Sequence, residues 1–174
     1  MIPQAIIPGT NAFFVPESAT ITRAAKPATE AYADLGPTAE GSELTPSIGT
    51  EREIYKNVGG GIELYDVIES KRKLDVKLKL EEYSDLVNAL VFGHDIPTGT
   101  TAHTFRPLSR KKAIKGWLKL ELETDAGKIV SLEAYTRIKL DGNVTSGDKG
   151  PQPPLVFNLL YSPLNTGTLL GVSA

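Results

Sequence analysis

The chain has 174 residues, no cysteine and a formal net charge of −2 at pH 7. That length suits one domain with a proper core, and 40% hydrophobic with 23% charged residues describes a globular chain rather than a disordered or fibrous one. Lack of cysteine excludes disulfide scaffolds, thiolate metal sites and a cysteine nucleophile, and no apolar run approaches the ~20 residues of a membrane-spanning helix. The N-terminus is uncharged and broken by Pro3 and Pro8, a poor signal peptide, so the expectation is a protein made inside the cell without a membrane anchor. Asn143-Val144-Thr145 matches a glycosylation sequon and reads, without a secretion signal, as a turn.

Charge is unevenly spread. Residues 1–69 hold four Lys/Arg against ten Asp/Glu, residues 70–119 eleven against five, and residues 120–174 four against six. Opposite charges in different parts of a chain let one copy's basic surface meet another's acidic surface; two solvated faces that keep the protein soluble are the plain alternative.

Residues 1–18 read as an irregular arm, because Pro3, Pro8 and Pro16 fix the backbone and remove hydrogen-bond donors. The arm carries Ile2, Ile6, Ile7, Phe13, Phe14 and Val15 and so needs a surface, its own domain or a neighbouring copy. Residues 19–174 form the single domain. Two short strand candidates, ATITRAA and EAYADL, precede the break at Gly36-Pro37, and SELTPSIG and TEREIYKNV follow it. In the latter, Glu51, Glu53 and Tyr55 share a face. Gly59-Gly60-Gly61 reads as a flexible loop and not a phosphate-binding one, since no Gly-Lys-Ser/Thr follows it. ELYDVIES then leads into the strongest pattern in the chain.

Leu74, Val76, Leu78 and Leu80 alternate with Lys73, Asp75, Lys77 and Lys79, a period of two that marks a strand with one dry face. The period then changes, and Tyr83, Leu86, Val87, Leu90 and Val91 form the stripe of a short amphipathic helix, with Ser84 to cap it and Gly93 to end it. Leu74, Val76, Leu78, Leu80, Leu86 and Leu90 are the expected core. Residues 94–113 show no period and end in a basic run, which suggests a functional or interfacial loop. IKGWLKLELET, with Leu118, Leu120 and Leu122 opposite Lys119, Glu121 and Glu123, pairs through Asp125-Ala126-Gly127 with KIVSLEAYTRIKL as an antiparallel hairpin. DGNVTSGDKGPQPP is a polar loop, LVFNLLYSP a closing strand, and GTLLGVSA a tail able to add to a sheet edge. The fold class is mainly β: an antiparallel sandwich or barrel flanked by one short helix, with long loops and an N-terminal arm.

Chemistry is hard to find. His94, Asp95 and His103 lack the spacing of a metal site, and there is no Gly-x-Ser-x-Gly elbow. No catalytic residue, metal or cofactor is expected. The basic stretches 71–79 and 106–119 are a weak nucleic-acid signal beside an acidic remainder.

The order of features from about residue 19 resembles the major tail tube proteins of long-tailed bacteriophages: an acidic strand pair (LGPTAEGSELTPSIGTEREIYK), a glycine loop (NVGGGIELYDVIES), an alternating strand (KRKLDVKLKLEE), a short helix (YSDLVNALVFG), a basic loop, a long hairpin and a closing strand. The apolar, proline-rich arm departs from a minimal member. The resemblance implies a non-enzymatic virion protein, made in the host cytoplasm, whose hexameric rings stack into the tail tube. Its expected partners are further copies, a tape measure protein and a tail terminator, with genomic DNA passing through the channel unbound. Basic linings hold phosphates, so the lumen should be acidic or neutral, with Glu51, Glu53, Glu121, Glu123 and Glu133 as candidates. Asn57, Gly59, Gly60, Gly61, Arg110, Lys111, Lys112, Phe13 and Phe14 would make contacts between subunits or rings. The alternatives are a tail terminator or adaptor ring, or a monomeric β-barrel module that binds nucleic acid or carbohydrate.

Overall fold

A computed structural model describes residues 10–39, 42–48, 51–69, 71–81, 84–92, 114–124, 127–140, 142, 145–147 and 150–167. The strands are β1 (Asn11–Pro16), β2 (Ala33–Pro37), β3 (Glu43–Ile48), β4 (Glu51–Val58), β5 (Gly61–Glu69) and β6 (Arg72–Lys79). Then come α1 (Asp85–Phe92), β7 (Lys115–Thr124), β8 (Gly127–Leu140), β9 (Thr145–Gly147), β10 (Gly150–Gln152), β11 (Pro154–Leu159) and β12 (Thr166–Gly167). The protein is mainly β, with antiparallel sheets and one short helix.

The main sheet runs β2-β1-β7-β8-β11-β6-β3, with β12 beside β8. It curls until the edge strand β2 comes round to β6. Thr38, just past β2, bridges Leu80, just past β6; the Ala39 N–H donates to the Lys79 carbonyl at 2.7 Å, and the Glu81 N–H to the Pro37 carbonyl at 3.2 Å. Strands distant in the sheet therefore face each other as in a sandwich, and Phe14 of β1 meets Phe157 of β11 across the core with ring centres 6.0 Å apart. Between the walls lie Leu35, Val76, Leu78, Leu80, Leu118, Leu120, Ile138 and Leu155. Each is worth roughly 1.5–3 kcal/mol when fully buried.

The expected helix is present. The Ser84 carbonyl accepts the Asn88 N–H at 2.9 Å, and its Oγ accepts the Val87 N–H at 3.3 Å, satisfying donors the helix leaves open. Asp85 in the first turn suits the helix dipole. Val87 and Leu90 are buried in the core, with Leu86 and Val91 packed against them. Leu74, placed in the core by its alternation, is only half-buried.

Three expectations are corrected. Residues 11–16 are not an irregular arm but β1, between β2 and β7. Pro8 lies outside this window and Pro16 ends it, which leaves five proline-free residues that alternate: Ala12 and Phe14 are fully buried inside. Phe14, expected at a subunit contact, therefore belongs to its own core. In 19–25 only Thr22 and Ala25 bridge each other, around a turn. The polar loop after Leu140 contains the paired β9 and β10.

The outer face of the hairpin β7–β8 is only partly wet. Val15, Trp117 and Tyr135 form a second small core there, packed by Ile21, Tyr32 and Leu160, and the Trp117 indole N–H donates to the Thr22 carbonyl at 3.0 Å. Residues 17–32 thus lie over the outer side of β1, β7 and β8. Gly116 permits the closest approach, because a Cβ there would stand 2.1 Å from the Val15 carbonyl oxygen and 2.6 Å from the Phe14 ring.

Candidate assembly surface

Strands β4 and β5 form a two-stranded sheet of their own. Their pairing keeps the offset of the β3–β6 ladder. Ile48 pairs with Arg72, and three residues on along both arms Glu51 pairs with Glu69, so the register does not change between body and projection. At about 3.3 Å per residue, the 8 residues of β4 make a hairpin arm roughly 26 Å long.

Gly59 and Gly60 make its turn, with φ of +46° and +118°, and Val58 pairs with Gly61 across it. Two successive left-handed residues are what a two-residue hairpin turn needs, since that geometry matches the strand twist. The triple glycine is therefore a tight turn followed by the first residue of β5, not a loose loop. A bulge lies between Ile54 and Tyr55, where Ile54 pairs with Asp66 and Tyr55 with Leu64, leaving Tyr65 as the extra residue.

Opposed residues share a face. One face carries Tyr55, Ile62, Leu64 and Val67 with Glu53, whose carboxylate accepts the Tyr55 hydroxyl hydrogen; that bond pushes the Tyr55 phenol up from its usual range. The other carries Val58, Tyr65 and Ile68 among charged residues, with the Lys56 ammonium 4.8 Å from the centre of the Tyr65 ring. Ile62 is 71% exposed and Tyr65 67%. Two lone strands are marginal in water, and exposed apolar side chains grouped in this way make the hairpin a candidate contact surface. Asn57, an expected contact residue, lies on this hairpin and is exposed.

A second surface is basic. On the outer side of β6, β11 and β8, register places Lys77 beside Val156 and Lys139, and Asp75 beside Asn158 and Arg137, with Lys115 next on β7. Lys73, Lys115, Arg137 and Lys139 are exposed. Glu43 of β3 stands opposite Lys77 in register, and Asp75 is an acid within the patch. Burial pushes its carboxyl up, but hydrogen bonds from Lys73 at 2.6 Å and Asn158 at 2.5 Å, with the charges of Lys73 and Lys139, outweigh this and hold it below its usual range.

The glutamates expected at a lumen scatter. Glu133 is 8% exposed, accepts the Tyr32 hydroxyl hydrogen at 2.6 Å and is ion-paired with Lys26. Glu121 is largely buried and paired with Lys119 at 2.7 Å. Glu133 thus lies under the segment over the β7–β8 face, held by Tyr32 and Lys26. Glu53 is exposed on the hairpin, while the side chains of Glu51 and Glu123 lie outside the described residues. So do Arg110, Lys111, Lys112, His94, Asp95 and His103. Phe13 is half-buried, its ring centre 4.6 Å from the Lys119 ammonium.

Among the described residues, no three His, Cys, Asp or Glu gather to hold a metal ion, and no helix is long and apolar enough to cross a membrane. The sequence reading marked 71–79 and 106–119 as basic but missed the face as a unit, because Arg137 and Lys139 of β8 join Lys73 and Lys77 of β6 from far along the chain. The charge of each alternate position on β6 was the available signal. No family model matches the chain, and no curated protein matches it.

Proposed function

We propose that this chain is a structural, non-enzymatic subunit that assembles with copies of itself into stacked hexameric rings, the tube of a phage tail. The observation that carries this reading is the β4–β5 hairpin, a two-stranded sheet apart from the main one, which exposes Tyr55, Ile62, Leu64, Tyr65 and Val67 beside strand edges that pair with nothing else among the described residues. Edges and apolar faces of this kind invite pairing with another chain, and a closed ring gives every copy the same partner. The order of sequence features adds the tail-tube identity. The fold, a curled antiparallel sheet with one helix, is compatible with it.

In such a tube the basic outer face of β6, β11 and β8 would hold DNA phosphates, so it lies against protein rather than in the channel. A terminator or adaptor ring would use the same hairpin but would cap rather than polymerise. A second reading, a monomeric nucleic-acid module, rests on that same basic face. Negative-stain electron microscopy over rising protein concentration separates the three. Stacked rings are expected; single rings favour the terminator or adaptor, and a monomer at every concentration sinks the assembly reading.

A further inference from the structure

We propose that the β4–β5 hairpin of one copy docks on the basic outer face of β6, β11 and β8 of a second copy. This rests on the assembly reading for the existence of contacts between copies and adds which two surfaces meet.

Charge is the first argument. Residues 51–69 hold five acids, Glu51, Glu53, Glu63, Asp66 and Glu69, against Arg52 and Lys56. The outer face presents Lys73, Lys115, Arg137 and Lys139 fully and Lys77 and Lys79 in part; Asp75 on it is paired with Lys73, and Glu43 of β3 stands opposite Lys77 in register. Chemistry is the second. Lysine and arginine stems offer apolar surface beneath their charged heads, and an ammonium or guanidinium favours the face of a tyrosine. Lys56 already takes that position over Tyr65. A hairpin with tyrosines and acids side by side therefore fits a field of long cations better than it fits water.

Asp75 weighs against nucleic acid as the occupant, since a carboxylate within the patch repels phosphates.

Charge exchange tests the pairing. Glu53→Lys, Glu63→Lys and Asp66→Lys reverse the hairpin; Lys115→Glu, Arg137→Glu and Lys139→Glu reverse the face; a third chain carries all six. Each set should raise the concentration for half-assembly, read by sedimentation velocity, by roughly tenfold or more. The six-fold variant should return to within roughly threefold of the unaltered chain, because the charges again oppose. Circular dichroism checks the fold, and the single exchange of Glu63→Lys with Lys139→Glu reads the same rescue where a triple set unfolds. Rings from the unaltered chain with no rescue, or with no loss in either triple set, overturn the pairing and leave the assembly reading standing. An unaltered chain that never associates overturns both. Loss of duplex-DNA retention by the face variant, with assembly untouched, assigns the face to nucleic acid and also overturns the pairing.

Discussion

The Tyr32 hydroxyl donates to Glu133 Oε1 at 2.6 Å, joining residues 101 apart in the chain. Glu133 also pairs with Lys26, and Lys119, opposite it on β7, is only 5% exposed between the rings of Phe13 and Tyr32. A face patterned as wet is thus closed by the segment that precedes β2. Removing Glu133 should strand these partners. We expect Glu133→Ala to destabilise by about 1–3 kcal/mol and Glu133→Gln, which keeps an acceptor for Tyr32, by less. Urea unfolding measures both, and an unchanged midpoint in the alanine variant would return Glu133 to the exposed surface.

Alkaline pH should loosen the same region. Burial raises the Tyr32 phenol, reinforced by its bond to Glu133 and that carboxylate's charge. Burial, then the bond and charge of Glu17, push Tyr135 up to about 12, with Arg23 pulling the other way. A raised pKa favours the neutral phenol in the folded state. Its contribution is complete below the ordinary value of 10.0 and is lost as pH rises toward 12 and beyond. Thermal unfolding from pH 9 to 12 should show this fall, and Tyr135→Phe should reduce it.

Core positions should grade by burial. Leu78, 1% exposed between β3 and β11, should lose roughly 2–5 kcal/mol on truncation to alanine. Leu74, half-buried at the start of the same alternation, should lose clearly less. Leu78→Asp should prevent folding, because it buries an unpaired charge. Equal midpoints for the two alanine variants would contradict this packing.

Gly116→Ala tests the seam between β1 and β7. The added methyl meets backbone at 2.1 Å and must push Pro16 and Phe14 away. We expect a loss of about 3 kcal/mol, with amide exchange accelerated in residues 11–16. Protection there equal to that of the unaltered chain would refute the close approach.

The hairpin should be separable from the body. Gly60→Val places a β-branched residue at φ +118°, which should weaken assembly while leaving the unfolding midpoint of the body nearly unchanged. Replacing Gly59-Gly60 by Asn-Gly should retain the turn and the rings. A body that unfolds with the Gly60→Val hairpin would show the two to be one cooperative unit.

Local pattern determined a good deal of this protein. Alternation at Val76, Leu78 and Leu80 placed their side chains inside before any partner was known, because a strand's period of two leaves little freedom once one face is dry. The change of period at Ser84 marked the helix and its cap for the same kind of reason. The shared face of Glu53 and Tyr55 was legible too.

What pattern could not decide was where a distant segment would land. Lys119 and Glu133 look like solvent-facing residues until Tyr32 and Lys26 arrive over them, and Phe14 looks like part of a loose arm until β7 and β2 pair with the backbone around it. The bulge that leaves Tyr65 unopposed in β4–β5 and the gathering of cations from β6, β7 and β8 were equally out of reach. Burial, pairing and surface charge depend on which chain segments become neighbours in space, and only the tertiary structure assigns those neighbours.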